Sequence, residues 1–342
     1  THSGNVGVDV FFSLSGFLIT GLLLTEISKR GTADLKAFYV RRTLRIWPVY
    51  YVAVLAGFGG VALLGTPFCR LFGYTFSPTF FRVALPAHLV FLGNWTDRAL
   101  PTPIAILWSV CIEEQFYILF PITFVFARRA HPAFRAAGLG WLMALVVRAA
   151  ASSSGAGSYY NTFAHADNLL AGALLAQTLH ARPAVVIAAY RRMGLLGELA
   201  GLLGFVVLLQ WGYGTKSLTA SLVFGVFSAI VTTYFVGISG LGCGPIAGFL
   251  ARPRLRILGQ LTYATYCFHL YPLAAVWQFV NRIAPTVDVW WRATLRFILA
   301  LPLALLVAYL CRVTFELRFL KLKERFQRLP SKPEPLEDVA RS

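Results

Sequence analysis

Charge is scarce in this sequence, and negative charge is scarcer. Only 13% of its 342 residues are charged, and 14 acidic residues stand against 31 Lys and Arg. Soluble domains carry about 25% charged residues, so this chain lacks the means to cover a core with a polar exterior. Cysteine is also sparse. Cys69, Cys111, Cys243, Cys267 and Cys311 are scattered, and no two have the spacing of metal ligands. That argues against a disulfide framework and against a zinc site, and no metal is expected. The sequence shows no fixed-period repeat, no low-complexity block and no second soluble domain. No charged n-region precedes the first apolar run, so nothing reads as a signal peptide.

What the chain has in excess is apolar residues. They make up 57% of it, against about 45–50% in soluble domains, and the mean hydropathy is +0.66. Lipid is the natural solvent for such a composition. The net charge of +17 would suggest nucleic acid in a soluble protein. Here the basic residues occupy short gaps between apolar segments. That is the pattern of cytoplasmic loops, and a nucleic-acid partner is not expected.

A spanning helix needs about 20 mainly apolar residues. Nine segments qualify: 7–27, 46–66, 104–127, 133–152, 163–180, 193–212, 218–240, 257–282 and 290–313. The stretch 82–95, with Pro86 and His88, is shorter. Orientation follows from the gap holding Lys29, Arg30, Lys36, Arg41, Arg42 and Arg45, which is assigned to the cytoplasm. If 82–95 does not span, every later basic cluster falls on the same side, including Arg312, Arg318, Lys321, Lys323 and Arg325. The expected fold is therefore an all-α, polytopic transmembrane helix bundle of about nine spans with a cytoplasmic C-terminus. Thr1 then starts outside, and one further helix is expected upstream, making about ten. Residues 1–326 form the membrane domain, and the Pro-bearing stretch 327–342 reads as a disordered cytoplasmic tail.

Ionisable residues inside a bilayer are costly and call for a reason. Asp9, Ser13, Gly16 and Thr20 recur at helical spacing. Ser13, Gly16 and Thr20 read as a helix-packing stripe, while Asp9 fits packing and function equally. Ser109, Glu113 and Tyr117 are four apart and share a face. Glu113 and Glu114 point about 100° apart, so they are expected to have different partners, one an Arg and the other a reacting proton. Burial lifts carboxyls towards the range useful for acid–base work. Thr262, Tyr266 and His269 share another face, and His269 is a candidate base or relay. His165 and Asp167 read as interfacial. Arg148, Arg292 and Arg296 read as snorkelling cations, with Arg148 and Arg296 also available to a glutamate. Arg41, Arg42 and Arg45 serve as a topology anchor. Arg45-Ile46-Trp47-Pro48 would open the next helix, where guanidinium forks suit phosphate.

At these residues a family resemblance emerges. The run from Gly7 to Ile19, with Asp9, Phe11, Phe12, Ser13 and Gly16, resembles the signature of membrane acyltransferase family 3. These are bacterial O-acyltransferases of the O-antigen and peptidoglycan acetylase type. Arg41-Arg42-Thr43-Leu44-Arg45-Ile46-Trp47-Pro48 resembles the family's basic loop. Trp108-Ser109 through Glu113-Glu114-Gln115-Phe116-Tyr117 resembles its Trp-Ser-x-x-x-Glu-Glu-x-Phe-Tyr motif. Gly259, Tyr263, Tyr266, His269 and Pro272 resemble its late helix, and Glu316 with Phe319 and Lys321 its C-terminal segment, with Leu317 in place of the usual Pro.

The resemblance implies about ten helices and acyl transfer from a cytoplasmic acyl-CoA, usually acetyl-CoA, to a hydroxyl of a sugar or similar acceptor. No bound cofactor is implied. It also implies an upstream helix with an Arg and a catalytic His; His2 lies too close to Gly7 to be that residue. The expected catalytic residues are Glu113, Glu114, His269 and Asp9. The expected substrate-binding residues are Arg41, Arg42, Arg45, Ser109, Tyr117 and Tyr266. Two rival readings are a transporter or flippase, and an inactive family member with a regulatory role. No related halves, as transporters often show, are visible in the sequence.

Overall fold

A computed structural model describes residues 3–73, 78–96, 103–129, 133–153, 160–211, 217–285 and 288–326. His2 and the tail 327–342 lie outside the described residues. Every regular element among the described residues is helical. In chain order these are α1 (Ser3–Arg30), α2 (Leu35–Leu64), α3 (Thr66–Leu71), α4 (Pro78–Leu89), α5 (Trp108–Arg129), α6 (Ala133–Ser153) and α7 (Thr162–Ala181). They continue with α8 (Pro183–Trp211), α9 (Leu218–Leu241), α10 (Gly244–Leu250), α11 (Pro253–Phe268), α12 (Leu270–Ile283), α13 (Val289–Cys311) and α14 (Leu317–Glu324). A π-turn at Arg312–Glu316 joins the last two.

Among the described residues, six helices are long and apolar enough to cross a membrane: Asn5–Arg30, Leu35–Leu64, Ala105–Ala127, Pro183–Trp211, Leu218–Leu241 and Val289–Lys323. They carry large exposed apolar side chains, among them Leu196, Leu203, Phe297 and Ile298. Each such side chain in water forgoes about 1.5–3 kcal/mol of burial, and lipid removes that cost. Three of the nine expected segments fall outside the six. The apolar part of α6 is short, Ala137–Ala151. α7 buries His165, Asp167, Asn168 and Gln177. The segment 257–282 is divided between α11 and α12 at His269, where the backbone keeps helical angles, φ −60° and ψ −26°. α4 has 12 residues, short of the about 20 that a span requires.

Local signals explain several boundaries. Gly31, at φ 76°, ends α1 in the left-handed conformation that suits glycine. Asn161 caps α7, its Oδ1 accepting from the Phe163 and Ala164 amides at 2.9 and 3.3 Å. Gly194, at φ 48° and ψ −145°, breaks α8 where the expected span 193–212 begins. The sequence reading needs correcting at α2. Arg45-Ile46-Trp47-Pro48 does not open a helix; α2 already begins at Leu35, so Arg41, Arg42 and Arg45 are helical and Pro48 lies in the interior. The connection from α1 is only residues 31–34.

The described residues divide into two compact units, those up to 35 and within 112–252 in the first and those within 36–111 and from 253 on in the second. In the first, α1 packs most extensively on α7. Their crossing is built on paired glycines. A Cβ on Gly16 would lie 1.8 Å from the Leu169 carbonyl oxygen, and one on Gly172 would lie 1.9 Å from that of Ser13. Only glycine lets two backbones approach this closely. The packing reading of Ser13 and Gly16 therefore holds. Val6, Leu208, Phe224 and Val231 form an apolar core nearby. In the second unit, Val276 and Val280 of α12 pack on Ala300 of α13, and Val61, Phe68 and Cys69 form another cluster.

Candidate active site

In the first unit, α1, α6, α7 and α9 enclose a buried polar group. Arg148 of α6 grips Asp167 of α7 with both edges, Nε to Oδ2 at 2.6 Å and Nη2 to Oδ1 at 2.7 Å. This is the bidentate fork that suits a guanidinium and a carboxylate. Nη2 of Arg148 lies 3.5 Å from His165 Nδ1. His165 Nδ1 in turn lies 3.7 Å from Asp9 Oδ1. Ser228 Oγ donates to the other Asp9 oxygen at 2.9 Å. The Asn168 amide donates to Asp167 Oδ1 at 2.7 Å, and Ser13 and Thr232 share a 2.7 Å hydroxyl contact. Asp9, Asp167 and Asn168 have no exposure at all, and His165 is 1% exposed. Gly225 of α9 makes room for the ion pair: a Cβ there would sit 3.2 Å from both Arg148 Cδ and Asp167 Oδ2.

This cluster corrects three sequence readings. His165 and Asp167 are not interfacial; they are among the most deeply buried polar residues. Arg148 does not snorkel; it is buried, with Asp167 as its counter-ion. The physical signal was present in the sequence, because an intramembrane arginine demands an acid, and α7 carries only one, Asp167. Asp9 joins this group, beside His165 and Ser228.

A second polar chain lies in the same unit. Tyr117 Oη donates to Ser15 Oγ at 2.8 Å, and Ser15 Oγ donates to Glu113 Oε1 at 2.9 Å. Glu113 is half-buried and Glu114, one residue on, is buried. The two carboxyls occupy different surroundings, as their 100° offset requires. Gln115 accepts from Thr162 Oγ1 at 2.7 Å, tying α5 to the start of α7. Ser15 was not singled out in the sequence reading, although it sits in the α1 signature run.

In the second unit, Ser109 and Tyr266 are in contact, Oγ to Oη at 2.6 Å. Both hydroxyls also face the Ile106 carbonyl, Tyr266 at 2.7 Å and Ser109 at 3.5 Å, so either can donate in their shared contact. His269 Nδ1 lies 2.8 Å from the Tyr266 carbonyl. A carbonyl only accepts, so Nδ1 carries the proton and Nε2 is left as the basic nitrogen. His269 is half-buried. His88, by contrast, is fully buried and spends Nδ1 on the Ala84 carbonyl at 2.8 Å, which is a packing role.

The three arginines of α2 are distributed by their helical spacing. Arg41 donates to the Phe326 carbonyl at 3.1 Å. Arg42 stands 5.7 Å over the Phe38 ring. Arg45 acts electrostatically on the buried Glu316, which also lies 3.6 Å from Arg312. Arg312 in turn donates to Gln260 Oε1 at 2.9 Å. Among the described residues, no group of three or more His, Cys, Asp and Glu is placed to hold a metal ion. The five cysteines are all free thiols.

Comparison with known proteins gives this arrangement a context. A family model described as an acyltransferase domain matches residues 3–313. The peptidoglycan O-acetyltransferase OatA of Listeria monocytogenes is 28% identical over 316 residues, covering 86% of this chain and 48% of that protein. YrhL of Bacillus subtilis, provisionally named for the same activity, is 28% identical over 326 residues, covering 89% and 49%. The chain thus spans about half the length of the curated relatives it matches. No solved structure matches it. The family match takes in the glycine crossing of α1 on α7, the Glu113–Glu114 pair and His269 together, and on that extent the chain belongs to acyltransferase family 3.

Proposed function

We propose that the protein is a membrane O-acyltransferase that moves an acyl group, acetyl in the simplest case, from acyl-CoA to a hydroxyl of a sugar, glycan or natural-product acceptor. The observation that carries this reading is the Tyr117–Ser15–Glu113 hydrogen-bond chain on apolar helices. Acyl transfer requires a group that takes the acceptor's hydroxyl proton as its oxygen attacks the thioester carbonyl. The C–S bond then breaks, and the thiolate leaves and takes up a proton as free CoA. Glu113 is assigned the proton in the first unit, with Ser15 and Tyr117 orienting its carboxyl. Glu114 is assigned to holding charge in the interior.

His269 is assigned a second acid–base role, because Tyr266 fixes its tautomer and leaves Nε2 basic. Tyr266 and Ser109 line the substrate path in the second unit. Asp9 and His165 form a supporting pair. Arg41, Arg42 and Arg45 are assigned to the phosphates of the donor on the cytoplasmic side. With the basic gaps inside, the chain crosses about nine times, α4 does not span, residues 1–326 form the membrane domain and the C-terminus is cytoplasmic.

The test is transfer of labelled acetyl from acetyl-CoA in membranes holding the full-length protein. Label should enter an acceptor, and Arg41→Gln with Arg45→Gln should raise the KM for acetyl-CoA about tenfold or more, because a charged hydrogen bond is worth about 1.5–3 kcal/mol. Movement of an acceptor across the membrane without label would favour the transporter reading instead.

A further inference from the structure

Arg292 and Arg296 lie one turn apart in the first turns of α13, and among the described residues neither forms an ion pair with an acid. From Leu270 to Cys311 the only acidic residue is Asp288. Its carboxylate caps α13 by accepting from the Trp290 amide at 2.8 Å. Arg292 donates from Nη1 to the Pro285 carbonyl at a long 3.4 Å. Arg296 donates from Nη2 to Asn281 Oδ1 at 2.5 Å, and its Cζ stands over Trp277, 3.6 Å from the ring centroid. Nε of each is shut away from water without an acceptor. Each guanidinium also feels the positive field of the other. Like charges one turn apart on a helix are unfavourable, and half-buried guanidiniums with unfilled donors are more so.

The neighbourhood places this pair at the level of the lipid headgroups. Trp290 and Trp291, beside Arg292, are 82% and 70% exposed, as in the aromatic belts of membrane interfaces. In the orientation proposed above, this end of α13 faces away from the basic loops, so topology gives no reason for two arginines here. Trp277 covers Arg296 through its Cζ, and the N–H groups at the edge of a guanidinium are what bind a fork of oxygens.

We propose that Arg292 and Arg296, backed by Trp277 and Asn281, form an anion site that takes a phosphate group at the membrane interface. The phosphate belongs either to the headgroup of an anionic phospholipid or to a small phosphate ester. The site lies on α12 and α13 and is independent of the residues assigned to acyl transfer. Bound phosphate supplies the missing counter-charge and accepts from the outer guanidinium nitrogens.

The experiment is native mass spectrometry of the full-length protein in detergent, with phosphatidylglycerol in one arm and glycerol 3-phosphate in the other. Wild type should retain one of them about tenfold more strongly than Arg292→Gln/Arg296→Gln, the effect expected from losing charged hydrogen bonds. Retention in the lipid arm alone assigns a headgroup; retention in both assigns phosphate itself. Arg292→Gln alone, which leaves the Trp277 contact and Asn281 intact, should weaken retention several-fold and keep a monodisperse elution profile. If wild type retains neither ligand, or if Arg292→Gln and the double variant retain both as wild type does, the site does not exist.

Discussion

Arg148 and Arg296 are both arginines on apolar helices, and the protein treats them in opposite ways. In the first unit, Arg148 is held bidentately by Asp167, with His165 and Asp9 behind. In the second, Arg296 meets an indole, an amide oxygen and another arginine. Where the chain provides the counter-ion, the arginine is locked and buried. Where it provides none, the arginine stays half-exposed near the headgroups, and the counter-ion is left to come from outside. A guanidinium in a membrane protein is thus read by asking who neutralises it.

The comparison can be broken by mutation. The largest effect should come from Arg148→Met. It leaves Asp167 and Asp9 buried together without their cation, and breaking a buried pair costs about 3–5 kcal/mol. Loss of the monodisperse peak in size-exclusion chromatography is the expected result, with Arg148→Met/Asp167→Leu recovering most of it. If the single and double variants behave alike, the pair is not what holds α6 to α7. Gly16→Leu should rank next. Its Cβ would collide with the Leu169 carbonyl, and over-packing of this kind typically costs about 1–3 kcal/mol, read as a lowered thermal midpoint. An unchanged midpoint would mean that the α1–α7 crossing is looser than described. Arg292→Gln should have the smallest effect on folding, within about 0.5 kcal/mol as for an ordinary surface change.

Much of this architecture was legible in the sequence, because apolar runs of spanning length and glycine at helical spacing are local signals. The Ser13 and Gly16 stripe found its partner on α7, and Glu113 shares its hydrogen-bond chain with Tyr117 as their common face suggested. In the polar centre of the first unit, the need of Arg148 for an acid was legible, but the pairing was not. Arg148 and Asp167 are 19 residues apart on different helices, and only tertiary packing shows that both point inward. The division at His269 was hidden because α11 and α12 are both apolar enough to read as one run. The start of α2 was missed because a basic stretch before a proline looks like a loop, whereas Leu35 to Arg45 is helical. His165 was misplaced because a histidine near a helix end is commonly interfacial; the Phe12 ring, 5.4 Å away, covers it instead.

The most direct test of the central claim is the rate of acetyl transfer by the full-length Glu113→Gln protein, at saturating acetyl-CoA and with wild-type amounts of folded protein in the membrane. Glutamine keeps the Ser15 contact but takes no proton. General acid–base catalysis contributes about 10²–10⁴-fold, so a loss of that order with little change in the KM for acetyl-CoA is predicted. A rate close to wild type would contradict the assignment of Glu113 as the group that handles the acceptor's proton.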